Sequence, residues 1–207
     1  MSLTHSMPNG YKSGFVALVG RPNVGKSTLI NKFIGEKVAI TSPVAQTTRN
    51  RLKAILTTPT VQVVFVDAPG IHKPRHLLGE RLVQSAKRSL DEVDSILAIF
   101  DASSPPGKGD AFVMNLLRHQ RIPVLIGLNK WDLVHEKLKK SRKNSYINFL
   151  DDFSFPVFPC SAISGFGCNE ILDEISKNMP LGPYLYPPGL TSDQPEEILF
   201  AELIREQ

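Results

Sequence analysis

Two short strings in this chain have the residue types and spacing to hold a nucleotide from both ends. Gly20-Arg21-Pro22-Asn23-Val24-Gly25-Lys26-Ser27 matches a phosphate-binding loop in full. In such a loop, glycines like Gly20 and Gly25 let successive backbone N–H groups converge on a phosphate. The helix that follows, with Thr28 in its first turn, adds a partial positive charge of roughly half an elementary unit. Lys26 is placed to reach the β- and γ-phosphates, and the Ser27 hydroxyl to ligate Mg²⁺. The second string, Asn129-Lys130-Trp131-Asp132, ends in a carboxylate that can accept two hydrogen bonds. Guanine offers N1–H and its exocyclic amine side by side, whereas adenine offers neither donor at that edge. A buried carboxylate left unmatched costs about 1–3 kcal/mol. Taken alone, these four residues are equally an ordinary polar turn.

Two weaker strings complete the set. Asp67-Ala68-Pro69-Gly70 puts a carboxylate where it can hold Mg²⁺ through a water, and a glycine whose N–H can approach a γ-phosphate. In Cys160-Ser161-Ala162, a backbone N–H of Ser161 or Ala162 can donate to guanine O6. Both strings are common by chance, and their order along the chain is what gives them meaning.

Each string needs a rigid element behind it, and each follows an apolar, β-rich run. These runs are Phe15–Val19, Val61–Val66, Ile122–Leu128 and Pro156-Val157-Phe158, with further strands expected at Arg51–Thr57 and Asp94–Asp101. Helical spacing appears over Ser27–Ile34, Gly109–Gln120 and Cys168–Ile175. The alternation predicts an α/β fold of the P-loop NTPase G-domain type, with a mostly parallel six-stranded sheet and helices on both faces. Ligands of such sheets sit at the carboxyl ends of the strands, where all four strings fall. The expected organisation is a polar, flexible leader over residues 1–13, a nucleotide-binding domain over 14–180, and a Pro- and Gly-rich linker over 181–195. No internal repeat is visible.

Composition agrees with one domain. A chain of 207 residues, 42% hydrophobic, can bury one sizeable core. It has no run of eighteen apolar residues of the kind that spans a membrane, and its first residues lack the apolar centre of a signal peptide. Two cysteines, Cys160 and Cys168, without clustered histidines argue against a zinc site and fit a reducing compartment. The net charge of +4 suits an acidic partner. Its densest basic run is Lys137, Lys139, Lys140, Arg142 and Lys143, which reads first as a solvated helix face and second as an RNA contact.

Together the strings resemble those of the translation-factor-related GTPases, and within them the bacterial Era family. The specific parts are Gly20–Ser27, the segment Ile40–Arg51, Asp67–Pro74, Asn129–Asp132 and the stretch from Asp193 to Glu206. The resemblance implies GTP and GDP as ligands with Mg²⁺, and a GTP-hydrolysing switch acting in small ribosomal subunit assembly and rRNA maturation. It implies Lys26, Thr48 and Gly70 as catalytic groups and Ser27, Thr48 and Asp67 around Mg²⁺, with Thr47 the second choice. Residues 36–50 and 68–80 would be the two switches. Its further implications are a cytoplasmic monomer, peripheral contact with the inner membrane, and binding of the rRNA 3′ region through a KH domain. Residues 196–207 read as the start of that domain, truncated, so strong RNA binding by this chain alone is not expected. The alternative reading is a G domain serving as a nucleotide-dependent dimerisation or binding module, as in tRNA-modification GTPases. A P-loop ATPase conflicts with Asp132.

The hydrolytic step is the least familiar part. Ile71 stands where the Ras-like template has a water-positioning glutamine, and an aliphatic side chain cannot hold a water. His72 is more readily a solvated loop residue than a base. In relatives with an asparagine at the position of Asn23, the amide oxygen helps hold K⁺ near the phosphates, where it offsets charge on the leaving oxygen. Slow turnover, faster in potassium than in sodium, is the expectation.

Overall fold

The computed structural model describes residues 8–39, 52–67, 90, 92–118, 120–150 and 154–193. Among these residues six strands form one sheet: β1 (Lys12–Gly20), β2 (Lys53–Thr57), β3 (Val61–Asp67), β4 (Ser95–Asp101), β5 (Val124–Asn129) and β6 (Val157–Pro159). Their spatial order is β2-β3-β1-β4-β5-β6, with only β2 antiparallel to its neighbour. From β1 the chain crosses to the edge strand β2, comes back as β3 beside β1, and then builds β4, β5 and β6 outward on the other side. The point where the order reverses lies between β1 and β4, where such sheets open a crevice at their carboxyl ends.

The central strands are apolar on both sides because helices cover both faces. On one face, α1 (Lys26–Ile34) and α4 (Cys168–Asn178) bury Leu29, Ile30, Phe33, Ile171 and Ile175 against Val16, Leu18, Phe65, Leu97 and Ile99. On the other, α2 (Lys108–Leu117) and α3 (Lys139–Leu150) bury Val113, Leu117, Tyr146 and Leu150 against Ala17, Val19, Ala98, Phe100 and Ile126. Successive β1 residues thus alternate between two cores, as the two-residue period of a strand requires. No helix among the described residues is long and apolar enough to cross a membrane.

Three expectations need correction. Strand β1 begins at Lys12 and Tyr11 is buried, so the ordered sheet starts inside the stretch taken as a leader. The reason is a partner for Tyr11, whose ring lies 4.6 Å from that of Tyr184. The stretch taken as a linker is, over 181–193, hydrogen-bonded along the sheet, with bridges from Lys12 to Leu181 and from Ala54 to Ser192. Its prolines and glycines break up any long regular ladder, so scattered backbone bonds and the Gln62 side chain hold it. Helix α2 also stops at Leu117, short of Gln120.

Candidate functional site

The phosphate loop leaves the carboxyl end of β1 and enters α1 at Lys26. Its two glycines serve different needs. Gly25 adopts the left-handed region with φ 96°, and a Cβ there would run into the Asn129 amide. At Gly20 the constraint is proximity, because a Cβ would stand 2.5 Å from the Ile99 carbonyl oxygen. Asn23 is also left-handed, with φ 62°, a conformation asparagine tolerates better than most residues. Arg21 donates from Nε to Asp110 Oδ1 at 2.7 Å, and Asp110 is fully buried in the first turn of α2. That guanidinium is therefore committed to holding the loop against α2.

Lys26 and Asp67 face each other from the ends of α1 and β3. Lys26 is 9% exposed, and burial pushes its ammonium below the usual value while Asp67 opposes the change. Burial likewise pushes the Asp67 carboxyl up, against the effect of Lys26 and Ser27. Neither charge is comfortable without added ions of opposite sign. The Ser27 hydroxyl lies 3.5 Å from Asp67 Oδ2, and Asp67 Oδ1 is buried with no hydrogen-bond partner. An orphaned carboxylate oxygen beside a serine hydroxyl is a hard-oxygen donor set that fits Mg²⁺. No group of three or more His, Cys, Asp or Glu suited to a metal occurs among the described residues. Phosphate oxygens would thus have to complete the shell.

The string Asn129–Asp132 begins on the last residue of β5 and runs into the turn after it. Asn129 is 2% exposed, and both ends of its amide are engaged by the protein. Nδ2 donates to the Val24 carbonyl at 2.8 Å, and Oδ1 accepts from the Ala162 N–H at 2.9 Å. One side chain thereby ties the phosphate loop to the Ser161 loop. Lys130, left-handed at φ 62°, donates to Asp101 Oδ2 at 2.7 Å. Although burial alone would raise Asp101, hydrogen bonds from Lys130 and Ser103 outweigh it and hold the carboxyl below its usual range. Trp131 is buried in the core, which anchors the short 3₁₀ turn Trp131–Leu133. Asp132 between them is exposed at the surface of the crevice. The fold alone leaves that carboxylate open to solvent.

The Ser161 loop is fastened as well. The Ser161 N–H donates to the Phe166 carbonyl and the Trp131 N–H to the Cys160 carbonyl. Cys160 and Cys168 are free and buried, and burial pushes both thiols up, which makes them inert packing residues.

The structure brings Gly20, Asn23, Val24, Gly25, Lys26, Ser27, Thr28, Asp67, Asn129, Lys130, Asp132, Ser161 and Ala162 to one end of the sheet, after β1, β3, β5 and β6. Thr47, Thr48, Gly70, Ile71, His72 and residues 196–207 lie outside the described residues. Sequence reasoning missed three supports. Asp101 holds Lys130, and Asp110 holds Arg21. The Asn31 amide receives the N–H groups of Val38 and Ala39 and donates to the Ala39 carbonyl at 2.7 Å, holding the start of the stretch expected to be the first switch. An asparagine inside an otherwise ordinary helix was the available signal.

With this geometry in place, the similarities to known proteins are specific. Residues 15–130 match the family described as 50S ribosome-binding GTPase. The GTPase Era of Crocosphaera subtropica is 50% identical over 200 residues, covering 97% of this chain and 63% of that protein. The GTPase Era of Staphylococcus epidermidis is 41% identical, covering 95% of this chain and 65% of that protein. A crystal structure of Era in complex with MgGDPNP and nucleotides 1506–1542 of 16S ribosomal RNA superposes with a TM-score of 0.85 at 36% identity, over 95% of this chain and 66% of that one. A tyrosine-to-alanine variant of Aquifex aeolicus Era bound to GDP·AlF4⁻ gives 0.83 at 36% identity, over 94% of this chain and 66% of that one. The chain thus spans 63% and 65% of the length of these two curated relatives.

Proposed function

The chain belongs to the Era family of GTPases, and on that premise we propose that it binds GTP and GDP with Mg²⁺ and hydrolyses GTP as a switch in small ribosomal subunit assembly. The observation that carries the nucleotide reading is the Asn129 brace between the two halves of one pocket. Backbone N–H groups of Gly20–Ser27 and the start of α1 hold the phosphates, and Lys26 neutralises the β- and γ-oxygens. Asp132 accepts from guanine N1–H and the exocyclic amine. The Ala162 N–H is shared between Asn129 Oδ1 and guanine O6. Ser27 and Asp67 would hold Mg²⁺, with Thr48 from the first switch. When bound, the cation offsets charge on the phosphate oxygens and so lowers the barrier to phosphoryl transfer.

Arg21 is held by Asp110, which argues against its acting as an arginine finger. Asn23 instead supplies an amide at the phosphate loop suited to a potassium ion. Partnership with ribosomal RNA follows the relative solved with 16S nucleotides, and a cytoplasmic location suits that partner. The test is nucleotide competition: unlabelled GTP and GDP should displace a fluorescent GDP analogue, and ATP should not. Asp132→Asn should move preference to xanthine nucleotides while leaving the melting temperature unchanged, because Asp132 is exposed. Equal displacement by ATP would refute the base assignment.

A further inference from the structure

We propose that Asp193 is a positioning residue for the magnesium side of the nucleotide site, acting on Asp67 through the first residues of β2. The inference rests on the reading of Asp67 as the magnesium-holding carboxylate.

Residues 180–193 form a strap along the sheet. At its start, the Ser13 N–H donates to the Pro180 carbonyl and the Gly182 N–H to the Tyr11 carbonyl, at 3.0 and 3.1 Å. Its middle is pinned by Gln62, a fully buried polar residue in β3. Gln62 Oε1 accepts from the N–H groups of Leu185 and Tyr186 at 2.7 and 2.9 Å, and Nε2 donates to the Tyr186 carbonyl at 2.9 Å. From there the strap turns along the outer edge of β2, antiparallel to it. The Ile55 N–H donates to the Thr191 carbonyl at 2.8 Å, and the Asp193 N–H to the Lys53 carbonyl at 3.1 Å. Asp193 Oδ1 accepts the Lys53 N–H at 3.1 Å, so one residue satisfies both outward backbone groups of Lys53.

Because β2 runs against β3, this clamp lies at the nucleotide end of the sheet. Lys53 is opposite Val66, and the next rung inward joins the Asp67 N–H to the Leu52 carbonyl at 3.2 Å. That rung fixes the backbone of the residue whose Oδ1 is orphaned and buried. A terminal rung on an edge strand opens readily unless its outer side is also bonded. Asp193 supplies that outer bonding. The strap therefore bears on the height and direction of the Asp67 carboxylate as well as on closure of the sheet edge.

The experiment measures release of a fluorescent GDP analogue from the full chain as Mg²⁺ is titrated. Asp193→Ala should raise the magnesium midpoint by about two- to tenfold, the worth of one lost hydrogen bond of this kind. Asp193→Asn keeps an oxygen that accepts the Lys53 N–H and should restore the wild-type midpoint. Tyr184→Ala loosens the far end of the strap, against Tyr11, and should leave the midpoint in place even as it lowers the melting temperature. A normal midpoint in Asp193→Ala, with magnesium-dependent release in the wild type, overturns the inference and spares the GTPase reading. An equal shift in Tyr184→Ala also overturns it, since general loosening would then suffice. A wild-type chain that does not hold the GDP analogue overturns both.

Discussion

Replacing Asn129 with alanine separates bracing from base reading, because the two roles predict opposite results in the absence of nucleotide. The side chain is 2% exposed and makes two hydrogen bonds, to the Val24 carbonyl at 2.8 Å and from the Ala162 N–H at 2.9 Å. Asn129→Ala leaves one buried acceptor and one buried donor unmet, each costing about 1–3 kcal/mol. Entry of water into the crevice offsets part of this, leaving about 2–4 kcal/mol. In a domain of this size each kcal/mol moves the melting temperature by about 2–4 °C, so a fall of about 5–15 °C is expected. The assay is thermal unfolding followed by circular dichroism, without nucleotide and again with saturating Mg·GDP. Affinity for GDP should also fall, since the loops that carry the phosphate and base contacts are no longer joined. A variant that melts within about 2 °C of wild type, yet binds GDP poorly, would refute the brace. Asn129 would then act on the base directly.

Two further outcomes follow from neighbouring groups. Asp101 is held below its usual carboxyl range in the folded chain. Its stabilising contribution is therefore fully present above the unfolded value of 3.8 and is lost as pH falls through the lower folded value. Chemical unfolding of wild type and Asp101→Asn should show a constant gap from neutral pH down to the unfolded value and a closing gap below it. A gap that is unchanged in acid would mean that Lys130 and Ser103 do not stabilise the carboxylate. GTP hydrolysis measured by phosphate release should be faster in potassium chloride than in sodium chloride at equal ionic strength. Asn23→Ala should abolish the difference, and equal wild-type rates in the two salts would remove Asn23 from the mechanism.

The parts of this molecule that were legible in its sequence are those whose physics is local. A phosphate loop works through backbone N–H groups arranged by a handful of consecutive residues, so Gly20–Ser27 announces itself without any knowledge of the fold. Apolar runs mark buried strands for the same reason, and their order yields a doubly covered sheet. What escaped was held by partners distant in the chain. Asp110 meets Arg21 across 89 positions, and Asp193 meets Lys53 across 140. A Pro- and Gly-rich composition made 181–193 look like a tether, since nothing in that stretch records that Gln62 waits to receive it. The glutamine itself was the visible clue, a polar residue in the run Val61-Gln62-Val63-Val64-Phe65-Val66.

Asn129 shows why the division between reading and holding matters. The sequence pattern groups it with Asp132 as though both recognise the base, yet only Asp132 is left exposed to do so. The Asn129 amide lies between Val24 and Ala162, close enough to Gly25 that no Cβ fits there. A shift of the phosphate loop must therefore pull on the Ser161 loop through a buried pair of hydrogen bonds. The two loops proposed to carry the base and phosphate contacts are consequently coupled without any ligand. On the proposed nucleotide reading, a ligand with the right phosphates and the wrong base would not be accommodated by letting one half of the pocket adjust alone.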